Sequence, residues 1–393
     1  MKIAIAIDSF KGSLSSIEAG NAVKEGIQKA DPTADVSVYP LADGGEGTVT
    51  SLTQGLGGQL HTITVSGPLS DPVDAIYGIT SDAATGELTA IMEMSQAAGI
   101  TLIPPAKRNP LETTSFGVGE MIRDAIEKGC RKFVIGIGGS ATNDGGVGML
   151  QALGYDFLES PDEPIDFGAF GLSRLNYISA EHVIPELKEC KFYIACDVQN
   201  PLCGPNGASA VFGPQKGANP DMVRAMDLWL SNYANLTKQF CIANGALGNP
   251  KTLADANFPG TGAAGGMGFA FLTYTNATLQ SGVELIMEQT HFADHLTDVD
   301  LVITGEGCLD GQTAMGKAPI GVAKLAKEHG IPVIAFSGIV KPEAKRCNSH
   351  GIDAFFPILR NICTSEEAMD ARNAAQNLAD TAEQVYRALN LFQ

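Results

Sequence analysis

Long apolar runs are missing from this chain: no stretch approaches about 18 consecutive apolar residues, which excludes a membrane-spanning helix. Basic charge is also scarce. Lys and Arg number 26 against 44 Asp and Glu, a net charge of −18, and no cluster of Lys and Arg interrupts it. Nucleic-acid phosphates need such clusters, so a nucleic-acid partner is excluded and any anionic ligand must be held locally. The eight cysteines stand apart without a C-x-x-C pair, and among the six histidines only His291 and His295 share a helical face, with no third donor nearby. Neither a zinc centre nor a disulfide framework is indicated, and reduced thiols are expected. No Gly-x-Ser-x-Gly elbow or recoverable Ser-His-Asp set occurs, which removes the strongest hydrolase cue. The first apolar run, Lys2–Ile7, is too short for a secretion signal, so the expected location is cytoplasmic.

What the chain does hold is glycine beside carboxylate. Asp43-Gly44-Gly45-Glu46-Gly47, Thr142-Asn143-Asp144-Gly145-Gly146 and Gly305-Glu306-Gly307-Cys308-Leu309-Asp310-Gly311 each adjoin a segment that reads as strand or helix. Glycine lets backbone amides approach an anion, and short carboxylates hold Mg²⁺ or accept a proton. The pattern points to metal-assisted phosphate chemistry.

A length of 393 residues predicts two or three domains. Lys2–Ile7 reads as a buried strand ending at Asp8. The turn Ser9–Ser13 then leads into a helix whose start carries Ser15 and Glu18 as a capping box. Val36–Tyr39 reads as a second strand before the Asp43 loop. From residue 60 the pattern alternates, and His61–Val65 with Val73–Thr80 suggests antiparallel pairing. A helix over 117–128, strands at Lys132–Ile137 and Phe192–Cys196, and a long helix over 222–243 follow. Near the end, the strand Asp300–Ile303, a glycine loop over 304–316, the helix Pro319–Glu328 and the strand Pro332–Phe336 restore the first pattern, and one last helix spans 366–389. The fold expected is therefore α/β with two dissimilar domains. Residues 1–66 and 290–393 form a discontinuous Rossmann-like parallel-sheet domain, and 67–289 an inserted mixed-sheet α/β domain.

Two phosphate signatures nearly fit. Gly136-Ile137-Gly138-Gly139-Ser140-Ala141 matches a dinucleotide fingerprint, with Asp156 twenty residues on, and makes an NAD-dependent dehydrogenase of a small hydroxy acid the rival reading. Against it, Asn143-Asp144-Gly145-Gly146 prolongs the loop, and Asp156 follows a helix rather than a second strand. Gly311–Lys317 resembles a P-loop, but Ala318 replaces the metal-binding hydroxyl and the predicted strand ends at Thr304, too early. Lys317 still stands where a helix N-terminus favours a phosphate. Asp8, Asp43, Asp197 and Glu306 all follow predicted strands closely, on the edge where open sheets bind ligands, with Lys11 three residues from Asp8.

The blocks Asp8–Leu14, Leu41–Thr48, Gly138–Gly146, Cys196–Leu202, Phe212–Gly217 and Thr304–Asp310 resemble, in order and from residue 1 to about 385, the signature blocks of the bacterial type I glycerate kinases. The resemblance implies ATP- and Mg²⁺-dependent phosphorylation of D-glycerate to 2-phosphoglycerate, in a cleft between two α/β domains. Under it, Asp197 orients or deprotonates the glycerate hydroxyl and Lys11 meets the transferred phosphoryl. Asp43, Glu46, Glu306 and Asp310 are metal- or substrate-orienting groups. Asp8, Ser9, Gly139, Ser140, Asn143, Asp144, Lys216 and Lys317 are expected at phosphate or substrate, and Arg108 or the Thr114/Ser115 helix start at the glycerate carboxylate. The partners implied are small molecules, glycerate and ATP, with phosphorylation at the 3-hydroxyl and assembly into a homo-oligomer left open.

Overall fold

The computed structural model describes residues 1–42, 44, 45, 47–244 and 254–392. Its strands, in chain order, are β1 (Lys2–Ile7), β2 (Asp35–Pro40), β3 (Gln59–Ser66), β4 (Pro72–Ser81), β5 (Leu88–Glu93), β6 (Lys132–Gly136), β7 (Asp156–Ser160), β8 (Glu163–Pro164), β9 (Tyr177–Ser179), β10 (Lys191–Ala195), β11 (Ala277–Gln280), β12 (Leu301–Leu309), β13 (Val333–Val340) and β14 (Ala354–Pro357). The chain divides into two compact units. Unit 1 comprises Met1–Asp43, Gln54–Leu56 and Val283–Gln393, and unit 2 comprises Gly44–Thr53 and Gly57–Gly282.

Unit 1 is built on a five-stranded sheet, β14-β13-β12-β1-β2, in which every neighbouring pair is parallel. A parallel sheet is covered on both faces, so its strands read as unbroken apolar runs. In β1, Ile3, Ile5 and Ile7 enter one buried cluster while Ala4 and Ala6 enter another on the opposite face. Counted within the unit, the strand order is 2-1-3-4-5, which turns back on itself between β1 and β12. The helix Ser16–Ala30 starts at the predicted capping box, Ser15 with Glu18, and buries Ala19, Ala22, Val23 and Ile27. It packs closely on the helix Ala371–Leu389, because a Cβ at Gly26 would stand 2.0 Å from the Ala379 carbonyl oxygen.

Unit 2 holds a six-stranded mixed sheet, β11-β10-β6-β5-β4-β3, and a small antiparallel sheet, β8-β7-β9. The predicted antiparallel pair is β3 with β4, in register from Gln59↔Ile79 to Ser66↔Pro72. Aromatic packing fills the core: Phe133 stacks on Phe192 at 4.7 Å between ring centroids, and Tyr233 meets Phe269 edge-on at 5.3 Å.

Three expectations need correction. The strand β3 pairs inside the six-stranded sheet, so the chain has passed into unit 2 well before residue 66, and it returns at Val283 rather than 290. The segment read as a loop from Thr304 is strand as far as Leu309, hydrogen-bonded along β13. Glycine permits this: a Cβ at Gly305 would lie 2.0 Å from the carbonyl oxygen of Phe336. The last helix is two, Ser365–Met369 and Ala371–Leu389, because Asp370 leaves the helical path and its carboxylate caps the amides of Arg372 and Asn373. Among the described residues, no helix is long and apolar enough to cross a membrane.

Candidate active site

In open parallel sheets ligands sit beyond the carboxyl ends of the strands, where the strand order reverses. In unit 1 that place lies between β1 and β12, and a cavity of about 470 Å³ opens there. Asp8, Ser9, Phe10, Lys11 and Ser13, which follow β1, line it together with Glu306, Gly307, Cys308 and Asp310 of β12 and the loop beyond. Lys317 completes its charged rim. The turn after β1 is closed by the Phe10 amide on the Leu14 carbonyl (2.8 Å) and the Ser13 amide on the Phe10 carbonyl (2.8 Å). Asp8 is buried, and its Oδ1 accepts the Ser9 amide at 2.7 Å.

Glu306 is buried in the cavity wall, where its Oε1 accepts the Thr313 hydroxyl at 2.5 Å. Asp310 is engaged on both oxygens. Its Oδ1 accepts the amides of Gln312 (2.9 Å) and Thr313 (3.3 Å), and its Oδ2 pairs with the Lys341 ammonium at 3.2 Å. Partial desolvation works against ionisation there, but these partners prevail and hold its pKa below the usual carboxylate value. Asp310 therefore shapes the turn, and a metal ion would have to displace Lys341. Lys317 sits at the N-cap of the helix Ala318–Glu328, as the sequence suggested. The P-loop comparison loses one objection, since β12 ends at Leu309 and not at Thr304, but Ala318 is buried with no hydroxyl to offer.

In unit 2 the glycine loop after β6 encloses a buried polar cluster. The Asp144 carboxylate sits at the N-terminus of the helix Phe116–Glu127, accepting the Ser115 amide (2.8 Å) and hydroxyl (2.7 Å) on Oδ2. The Gly148 amide reaches Oδ2 at 3.4 Å and the Gly146 amide reaches Oδ1 at 3.1 Å. Burial pushes its pKa up, against the pull of these donors. The expectation that Ser115 receives a substrate carboxylate is thus corrected, because the protein's own Asp144 already fills that helix start. Thr114, also buried, turns its hydroxyl to the Phe116 amide at 3.1 Å.

Lys216 is corrected too. It is 2 % exposed, and its ammonium donates to the Ser140 hydroxyl (2.9 Å) and the Thr142 carbonyl (2.6 Å), so it braces the glycine loop from behind. Burial drives its pKa down to about 7, with Asp144 pulling the other way. Asn143 is buried, donating to the Ser209 hydroxyl at 2.9 Å. Gly138 and Gly139 are exposed on the loop, the latter with φ +71°. Arg108 is half-buried beside this cluster: its carbonyl oxygen would lie 2.2 Å from a Cβ at Gly217, and its buried Nε has no hydrogen-bond partner. Asp197 follows β10 and is exposed, with Oδ1 accepting the Gly282 amide at 3.1 Å. Asp156 opens β7 in the small sheet and pairs with His182 at 2.9 Å. It therefore does not serve the dinucleotide fingerprint.

Of the four metal candidates, Asp43 and Glu46 lie outside the described residues. Among the described residues no three His, Cys, Asp or Glu side chains converge as a ligand set. Sequence reasoning missed Lys341, Thr313 and the apolar residues that line the unit 1 cavity. Those residues are Ile339, Ile358, Leu359, Ala368 and Met369. Their only signal was position, since Ile339 lies near the end of β13 and Ile358 and Leu359 directly follow β14.

A model of the Glycerate kinase family matches residues 3–390. The chain is 45% identical over 389 residues to a glycerate kinase of Haemophilus influenzae, covering 99% of each chain. It is 43% identical over 385 residues to the glycerate 2-kinase of Escherichia coli K12, covering 98% of this chain and 97% of that one. A solved structure from Salmonella typhimurium LT2, assigned as glycerate kinase 2, superposes with a TM-score of 0.89 at 43% identity, over 100% of this chain and 99% of that one.

Proposed function

Because the chain belongs to the glycerate kinase family, and is accordingly a phosphotransferase with an alcohol group as acceptor, we propose that it moves the γ-phosphoryl of ATP to the 2-hydroxyl of D-glycerate. The observation that supports this most is the charged rim at the reversal of the unit 1 sheet, where Lys11 and Lys317 share one cavity with Asp8 and Glu306. Phosphoryl transfer needs cations and positioned donors around charge spread over three oxygens, and no covalent nucleophile.

In this reading the 2-oxygen of glycerate bonds to the γ-phosphorus while the bond from that phosphorus to the β,γ-bridging oxygen breaks, and ADP leaves with the electron pair. The hydroxyl proton passes to the Asp197 carboxylate. Lys11 balances charge on the transferred group, and Lys317 meets phosphate oxygens at its helix start. Arg108, with its unpartnered Nε, holds the glycerate carboxylate. The exposed amides about Gly139 remain available to an anion, whereas Ser140, Asn143, Asp144 and Lys216 support that loop from within. Mg²⁺ is ordinarily bound by one or two carboxylates plus substrate phosphates. Glu306, lining the rim, fits that mode, while Asp310 fits it poorly with both oxygens engaged. The ion would neutralise phosphate charge.

Incubating the protein with D-glycerate and MgATP and recording the phosphorus NMR spectrum of the product tests this reading directly. A phosphate coupled to one carbon-bound proton marks the 2-ester, whereas coupling to two marks the 3-ester and overturns the regiochemistry. ATP left intact in the presence of D-glycerate would refute the assignment as a whole.

A further inference from the structure

The six-stranded sheet of unit 2 ends at β3, which among the described residues pairs with β4 on one side only. Edge strands are usually protected against further pairing by Lys, Pro, a bulge or short length. β3 has none of these. Its eight residues, Gln59–Ser66, include no Asp, Glu, Lys, Arg or Pro, and its register with β4 runs without a shift from Gln59↔Ile79 to Ser66↔Pro72. Leu60, Thr62 and Thr64 are exposed, as is Ile76 opposite Thr62 on β4.

One side-chain contact fixes which backbone groups of β3 face outward. The Ile76 amide donates to Gln96 Oε1 at 3.3 Å, away from β3, so Ile76 and Thr62 form a non-hydrogen-bonded pair in the ladder. The N–H and C=O groups of Thr62 therefore point away from β4, and with the strand period of two so do those of Leu60, Thr64 and Ser66. Ser66 agrees, because its amide donates to Glu120 Oε2 at 2.6 Å. That bond closes the row at its carboxyl end. Among the described residues, no partner meets the outward amides of Leu60, Thr62 or Thr64.

We propose that this edge binds a second copy of the chain, two β3 strands pairing antiparallel about a two-fold axis at Thr62 and joining the two six-stranded sheets into one. In this register Thr62 meets Thr62 and Leu60 meets Thr64 on either side, and each of these pairs exchanges two backbone hydrogen bonds. Moving the axis one residue on sets Leu60 against Ser66, whose amide Glu120 already holds. Cross-strand Thr–Thr pairs are favourable, whereas like charges directly opposite are not. In a chain of net charge −18, an uncharged strand is a place where a second copy meets no like charge. Asp74 stands one strand back, its Oδ1 accepting the Thr64 hydroxyl at 2.7 Å. An isologous contact also closes on itself, so the open edge is consumed without fibre growth.

Sedimentation velocity of the full chain over a concentration series tests the pairing, and the parent is expected to show a monomer–dimer equilibrium. Thr62→Lys and Thr62→Glu each set like charges face to face on the axis, and each should weaken dimerisation at least about fivefold. Thr62 is exposed, and substitutions at such positions rarely disturb folding. An equal mixture of the two variants sets Lys against Glu and should restore association to the parent level or beyond. A parent that stays monomeric at every concentration overturns the proposal. So does a dimer indifferent to both charges, or a mixture that stays monomeric, because the axis then lies elsewhere.

Discussion

Replacing Asp144 with Asn changes only one side-chain atom's chemistry, yet the hydrogen-bond pattern gives it a sizeable cost. Both carboxylate oxygens accept, Oδ2 from the Ser115 amide and hydroxyl and from Gly148, Oδ1 from Gly146. An amide must set its NH₂ against donors on one side. The cheaper orientation directs it at Gly146 and loses that bond, while the bonds on the other oxygen fall from charge-assisted to neutral strength. A hydrogen bond to a charged group contributes about 1.5–3 kcal/mol and a neutral one about 0.5–1.5 kcal/mol. Part of the loss is offset because burying a carboxylate is itself unfavourable, as its raised pKa records. The net expectation is a destabilisation of about 2–4 kcal/mol, confined to unit 2. Trp229, the chain's single tryptophan, lies in the helix Pro220–Asn244 of unit 2 with its ring 6.1 Å from that of Phe170, so its fluorescence reports that unit. With a urea slope of about 3 kcal/mol per molar, the midpoint should fall by roughly 1 M. A midpoint within roughly 0.2 M of the parent would refute the reasoning.

Asp197→Asn is expected to lower kcat by about 10²–10⁴ with the fold intact, and a loss of only about tenfold in steady-state assays would be too small for a positioned base. Lys11→Ala should reduce kcat by at least about 10², and unchanged turnover would remove Lys11 from the transferring phosphoryl. With a folded pKa of about 7 against 10.5 unfolded, Lys216 keeps fewer protons in the native state than in the unfolded one between those values. Stability must therefore rise with pH across that window and carry the full cost of the buried charge below about 7. The urea midpoint of the parent, measured relative to Lys216→Met, should climb between about pH 6.5 and 9; a flat difference contradicts the burial argument. Gly305→Ala places a Cβ 2.0 Å from the Phe336 carbonyl oxygen, and a cost of about 1–3 kcal/mol should appear as a lower Tm by calorimetry.

Much of the fold could be read from local pattern. The unbroken apolar run of β1, the capping box at Ser15 and the alternation of β3 and β4 each depend on neighbours in sequence, and each has its predicted form. Misreadings came where distant residues decide. Thr304–Leu309 contains two glycines and reads as loop, and becomes strand because β13 pairs with it from Thr304↔Ala335 to Leu309↔Val340. The site divided along the same line. Asp8 directly follows β1, as local sequence indicates, whereas Glu306 lies inside β12, three residues before its end, and both line the cavity. Lys216 and Ser115 looked like ligand groups because nothing nearby in sequence says that Ser140, Thr142 and Asp144 occupy them. Reading a side chain as available requires knowing who else is in the room.

The parallel pairing of β1 with β12 also sets a timetable for synthesis. At about 5–20 residues per second, the ribosome delivers β12 on the order of tens of seconds after β1 emerges. During that interval β1 has only β2 beside it, and a two-stranded pair is marginal alone, so Ile3–Ile7 waits as an unfinished apolar edge. Unit 2, which closes at Gly282, is complete first. The nascent chain thus ripens from its middle outward, and β1, made before unit 2, finds its second neighbour only after unit 2 is complete.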